Sequence, residues 1–265
     1  MDAAVASVVS MDDTVRVLDL DLSRVFVVFS EQDSGCVSYG IEQDGRRLFV
    51  KTASARSARS SLRSVIGFHR VVSHPAIVRS IDAGDDHELT WVVYPWRDGR
   101  VLNAATVHGS DRSALDEFQH LPIDEVTAAL NTIIDAHVAI AAAGYVAVDL
   151  YDGCFLYDFD ARAMWLIDLD EYRRGAFRVE DDRLPGSTRY MAPEEFRRGD
   201  LIDVRTTVFN LGRAITFLLG DRDGWRGSAA QFEVAARATA SKPDDRFPNV
   251  AALSEAWRVA SQPTP

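Results

Sequence analysis

Cysteine and lysine are both scarce in this chain. Only Cys36 and Cys154 occur among 265 residues, with no Cys-x-x-Cys spacing. That excludes a disulfide framework or a structural zinc ribbon and suits a reducing cytosol. No apolar run is long enough to suggest a membrane span, since Ala128 to Val148 is broken by Asn131, Asp135 and His137. The first residues lack the basic stretch of a secretory signal. Basic charge is short as well: 29 Lys and Arg stand against 40 Asp and Glu, a net charge of −11. General binding of nucleic acid or of an anionic membrane is disfavoured, because both need basic residues. The expectation is a soluble, cytoplasmic protein with neither of those partners. His-Glu-x-x-His, Gly-x-Ser-x-Gly and Gly-Lys-Ser/Thr runs are also missing, which removes the common zinc protease, serine hydrolase and P-loop readings.

What is there is an ordinary globular balance, 47% hydrophobic and 26% charged, in a length that suits one large domain or two small lobes. The first hundred residues read as strands. Val15 to Val28 is rich in Val, Leu and Phe, Val37 to Glu42 and Arg47 to Lys51 flank the hairpin signal Asp44-Gly45, and Ile77 to Ile81 and Leu89 to Tyr94 follow. One helix interrupts them, from Ala55 to Val72, ending near His74-Pro75. Beyond Pro95 helical periods dominate: Asp124 to Ala143, Asp203 to Leu219, Ser228 to Ala240 and Val250 to Ala260, with short apolar runs at Tyr145–Leu150, Cys154–Tyr157 and Met164–Leu169. A strand-rich front (residues 1–95) and a helical back (residues 96–265) imply two lobes with a cleft near residues 94–99.

Three acids stand out by their apolar neighbours. Asp149 follows Tyr145-Val146-Ala147-Val148, and Asp168 and Asp170 follow Trp165-Leu166-Ile167. An acid at the end of a buried strand needs a cation, a metal or hydrogen-bond donors. One such acid could simply cap a turn; two sites joined by a strand–turn–strand pattern favour shared chemistry. Lysine usage points the same way. Of the basic residues only Lys51 and Lys242 are Lys, and Lys51 ends the strand Leu48-Phe49-Val50-Lys51, where a compact ammonium suits phosphate. His137 reads as a packed helix residue, His74 as a turn residue, and the Arg-rich first lobe as a solvated face.

These pieces resemble protein kinases in order and in kind. Phe49-Val50-Lys51, His74-Pro75-Ala76-Ile77-Val78, Asp149, Ile167-Asp168-Leu169-Asp170 and Gly186-Ser187-Thr188-Arg189-Tyr190-Met191-Ala192-Pro193-Glu194 follow one another from about Val25 to Trp257. Arg246 resembles the late arginine that pairs with the Glu of Ala-Pro-Glu. More narrowly, Gly144 to Gly153 looks like a bacterial branch of kinase-like proteins. The resemblance implies an α+β, two-lobed fold and an ATP-dependent phosphotransferase using Mg²⁺ or Mn²⁺. Lys51 would hold the α- and β-phosphates and Asp149 would orient the acceptor hydroxyl. Asp168 would bind the metal, Gly35 would lie in the phosphate loop, and Tyr94, Pro95 and Trp96 would line the adenine pocket. Glu194 and Arg246 would be a buried structural ion pair.

The chain departs from that pattern at informative places. Its phosphate loop has one glycine, Gly35, and carries Glu31 and Asp33. Between Asp44 and Asp82 there are eight basic residues and no acid, so the helix cannot supply the usual Glu to Lys51; Asp168 is the nearest substitute. Ala147-Val148 replaces His-Arg, so switching by phosphorylation of the segment is not expected. Tyr151 replaces a lysine, and Cys154, a soft ligand, replaces the metal-binding Asn. Asp170, with Asp152 as a weaker candidate, could supply the missing oxygen. Gly220 to Gly227 is too short for a substrate-docking helix, and Tyr151 could stack on a small acceptor. The acceptor expected is therefore a small metabolite or one dedicated protein. The alternatives are a pseudokinase that binds nucleotide or protein without turnover, and an aminoglycoside-phosphotransferase-type enzyme, which Ala192-Pro193-Glu194 and Arg246 disfavour.

Overall fold

The structure is a computed structural model that describes residues 24–30, 35–106 and 109–262. The chain is mixed α+β, with six α-helices among the described residues. It divides into two compact units. Among the described residues, one takes those up to Val71, Val78–Asp98 and residues 105–106; the other takes Val72–Ile77, Gly99–Ala104 and residues 109–262.

The first unit is an antiparallel sheet of β1 (Val25–Phe29), β2 (Cys36–Gln43), β3 (Arg46–Ala53), β4 (Asp82–Asp85) and β5 (Thr90–Pro95) in the order β1-β2-β3-β5-β4. Asp44 (φ 52°) and Gly45 (φ 70°) close the β2–β3 hairpin, both with the positive φ that a tight two-residue turn requires. Strand alternation then sorts the faces. Tyr39, Ile41, Val50 and Val93 form a buried cluster on one face. Lys51 lies on the other, opposite Ser38 and Val92, with Phe49 and Tyr94 paired beside it.

Helix α1 (Arg56–Val71) packs on β3 and β5 through Leu62, Val65 and Phe68. Its arginines fix its outer edge. Arg63 and Arg59 bond Asp85, and Arg59 also reaches Thr90 Oγ1 and the His87 carbonyl. Arg63 first, then Thr90 and Arg59, hold the Asp85 carboxyl well below the usual range. The strand expected at Ile77–Ile81 is not formed. His74-Pro75 turns the chain, the Ala76 carbonyl accepts from Leu166 N, and sheet pairing resumes only at Asp82. Most of the expected strand Val15–Val28 and the loop acids Glu31 and Asp33 lie outside the described residues.

The second unit is built on helices α2 (Ser113–Gln119), α3 (Ile123–Ala142), α4 (Val204–Leu219), α5 (Ala229–Ala238) and α6 (Val250–Ala260). Helix α3 is central and packs on α4 and α6. Its buried residues Val126, Leu130, Ile133, Ile134 and His137 follow helical spacing. Asp203, Ser228 and Asn249 cap the last three helices, each side chain accepting a backbone N–H of the first turn. Small strands complete the unit: β6 (Arg100–Val101), β7 (Tyr145–Val146), β8 (Phe155–Asp158) and β9 (Ala163–Leu166), with β8 paired to both β6 and β9. The apolar runs before the acids make shorter strands than their composition suggests. Ala147 N is given to Thr207 Oγ1 at 2.9 Å, and Asp149 and Asp168 leave the extended conformation. No helix among the described residues is long and apolar enough to cross a membrane.

Candidate active site

Asp149 and Asp168 sit just beyond β7 and β9, and both hold left-handed backbone, at φ 59° and 57°. For a non-glycine residue that conformation costs on the order of 1 kcal/mol, less for Asp than for most. Asp44 and Arg162 also adopt it, in the tips of the β2–β3 and β8–β9 hairpins. The two acids have no hairpin to explain theirs. Such strain persists where the surroundings over-determine it, often at functional sites.

Cys154 joins the two turns. Its Sγ lies 3.2 Å from the Asp149 carbonyl oxygen and 3.9 Å from that of Asp168. Its backbone N donates to the Tyr151 carbonyl, and its carbonyl accepts from Ile167 N. Burial first, and then Asp149 and Asp168, push the thiol well above its ordinary pKa. Cys154 is thus a neutral hydrogen-bonding post, not a thiolate. Asp149 is half-buried, Asp168 exposed and Asp170 buried. Gly186, at φ +136°, lies against the first acid: a Cβ there would sit 3.3 Å from Asp149 Oδ1.

Tyr151 folds its ring over Gly153, where any added Cβ would come within 2.4 Å of it. Burial raises its pKa, with Cys154, Asp149 and Asp168 adding to the rise. The weaker metal candidate Asp152 is committed elsewhere. It is fully buried and takes Arg189 Nη2 on both oxygens, at 2.9 and 2.6 Å, plus Asn103 Nδ2 at 2.8 Å. Behind the Asp168 turn, Tyr172 Oη donates to His137 Nε2 at 2.8 Å while His137 Nδ1 donates to the Ile133 carbonyl. Burial lowers the His137 pKa to about 4. It is a packed residue.

The other residues singled out from the sequence lie in the first unit, each described there by itself. Lys51 is 5% exposed on β3. Tyr94 meets His69 edge-on, with ring centroids 5.5 Å apart. Trp96 packs edge-on against Phe26 at 4.9 Å, beneath the Arg47 guanidinium, and its indole N–H donates to Asp98. Gly35 opens β2 with φ +70°, and its Cβ position would lie 3.7 Å from Ala58 of α1.

Glu194 and Arg246 do form a buried ion pair, bidentate at 2.6 and 2.8 Å. Between α4 and α5 there is a two-stranded hairpin, Gly220–Asp221 with Gly224–Trp225, and no helix. Sequence reasoning missed Asn103 and Arg189, whose partner Asp152 is 49 and 37 residues away in the chain. A buried acid beside Asp149 was the available signal. It also missed α2 and the Thr207 bond to Ala147 N.

The donor set can be weighed against Mg²⁺. No group of three or more His, Cys, Asp or Glu among the described residues could hold a metal by itself. Mg²⁺ delivered with a nucleotide needs only one or two carboxylates, with phosphate and water completing its shell. Asp168 is exposed and Asp170, two residues on, is buried. No protein-family model matches the chain, and no curated protein matches it.

Proposed function

We propose that the chain is a protein-kinase-like phosphotransferase that moves the γ-phosphate of ATP to a hydroxyl of one dedicated acceptor. The five-stranded unit with α1 is then the N-lobe of such a fold, and the helical unit its C-lobe. One observation carries most of the weight: Asp149 and Asp168, 19 residues apart in sequence, both hold left-handed backbone and meet at Cys154.

In this reading each residue has a separate task. Lys51 presents a fixed positive charge to phosphate oxygens, and Asp149 orients the acceptor hydroxyl and accepts its proton. Asp168, with Asp170, would hold Mg²⁺, which supplies charge neutralisation at the phosphates when bound. Gly35, just before β2, would belong to the loop over the phosphates, and Tyr94 and Trp96 would border the base. The hairpin at Gly220–Trp225 leaves no helix there to dock a peptide. That favours a small metabolite or a single protein Ser/Thr over generic peptides.

The test is binding of a fluorescent ATP analogue with and without Mg²⁺. Asp168→Ala should abolish the Mg²⁺-dependent part, and Asp170→Ala should weaken it. Equal affinity in both variants and the wild type contradicts the assignment. A second reading, a pseudokinase, draws on Cys154 and Asp152. The first is a neutral thiol and the second is spent on Arg189 and Asn103, so the loop after Asp149 offers no spare carboxylate. Nucleotide binding without any turnover would select it.

A further inference from the structure

The loop that carries Asp149 ends in an ion pair that transfer itself does not use. Asp152 is fully buried and receives three charge-assisted or amide hydrogen bonds, two from Arg189 and one from Asn103. Arg189 belongs to a tight segment in which Tyr190 N and Met191 N both donate to the Ser187 carbonyl. That segment touches the Asp149 loop twice. Gly186 lies against Asp149 Oδ1, and Arg189 grips Asp152 three residues further on.

Helix α4 braces the far side. Arg213 Nε donates to the Arg189 carbonyl at 2.7 Å, Asn210 Nδ2 donates to the Tyr190 carbonyl at 3.0 Å, and the Arg189 guanidinium lies 5.1 Å from the Phe217 ring centre. A salt bridge whose acid is wholly buried is hard to open, because the carboxylate would be left uncompensated. Arg189, by contrast, keeps a quarter of its side chain exposed.

We infer that Asp152 and Arg189 are positioning residues that hold residues 186–191 permanently against the loop 149–154. The setting of the Asp149 carboxylate is then built into the fold and needs no modification of the segment. Neither side chain touches a reacting atom. What Asp149 does rests on the phosphotransfer reading; the clamp itself does not.

The experiment uses the full chain with Arg189→Met and Arg189→Lys, reading backbone hydrogen exchange and ATP turnover in parallel. In Arg189→Met, exchange across residues 149–154 and 186–191 should quicken roughly ten- to a hundredfold, while α3 and α6 keep wild-type protection. Arg189→Lys should restore part of it. kcat should fall by about a hundredfold with the nucleotide KM unchanged, as expected when a group is misplaced by a fraction of an ångström to an ångström. Unchanged exchange in both segments overturns the clamp. So does an even rise that includes α3 and α6, or outright unfolding of Arg189→Met, because either marks an ordinary structural pair. An active wild type whose kcat is insensitive to Arg189→Met also overturns it. A wild type without turnover instead sinks the phosphotransfer reading, and the exchange data then decide the clamp alone.

Discussion

Two arginines in the second unit each grip a buried carboxylate, and they do so to different degrees. Arg246 uses all five of its N–H donors: two on Glu194, and the others on the carbonyls of Ala240, Arg205 and Ser241. Its side chain is wholly buried, with Phe209 4.8 Å from the guanidinium and Thr206 Oγ1 donating to Glu194 Oε1. Arg189 gives Asp152 a single nitrogen, Nη2, and its Nε has no hydrogen-bond partner among the described residues. The first pair ties the Ala192-Pro193-Glu194 turn to the segment before α6 and behaves as scaffold. The second ties one loop to one segment. Completeness of the donor set, more than burial of the acid, separates a global brace from a local one.

The contrast can be broken from its strong side first. Arg246→Met leaves Glu194 buried and unpaired, which should cost about 3–5 kcal/mol. The melting temperature should fall by on the order of 10 °C, as calorimetry or circular dichroism would record. Arg189→Met takes away one nitrogen's two bonds to Asp152 where Arg246→Met takes away five, so its melting shift should be the smaller, and much of its cost should appear as local opening. A larger melting shift for Arg189→Met than for Arg246→Met would reverse the ranking.

The smallest effect concerns pH. Glu195, next to the strong pair, accepts from Ala192 N at 2.6 Å and from Asn210 Nδ2 at 3.0 Å. Burial pushes its pKa up to about 7, with Glu194 adding to the rise while those two donors and Arg246 oppose it. A raised carboxyl pKa means the folded state holds its proton more tightly than the unfolded chain. Its contribution is therefore complete at low pH and is lost as pH rises from about 4.5 towards 7. His137 and His69, both lowered to about 4 chiefly by burial, act oppositely and lose stability as pH falls below about 6.5. Glu195→Gln should therefore make stability climb more steeply between pH 5 and 7 in denaturant titrations. An unaltered slope would remove Glu195 from the account.

Much of this architecture could be read from residues alone, for identifiable reasons. The helices announce themselves by apolar spacing and caps, as at Asp203, Ser228 and Asn249. The Asp44-Gly45 hairpin follows from turn chemistry. Asp149 and Asp168 were visible because each interrupts an apolar run, and Glu194 with Arg246 because of the motif around each. The Asp152 clamp was not legible, since its partners are far away in sequence and nothing local distinguishes Arg189 from the other surface arginines. Strand ends were misread for a related reason. Ala147 and Ala76 spend their backbone groups on Thr207 and Leu166, tertiary choices that no local pattern encodes. The left-handed backbone at the two acids is likewise imposed by the fold, since Asp has no strong preference for it.

The most direct test of the phosphotransfer account is turnover of labelled ATP with Mg²⁺ by the wild type and by Asp149→Asn. The amide cannot accept the acceptor's proton, so kcat should fall roughly 10²–10⁴-fold while nucleotide affinity stays at the wild-type value. Undiminished turnover in the variant, or loss of nucleotide binding in step with loss of rate, would contradict the role given to Asp149.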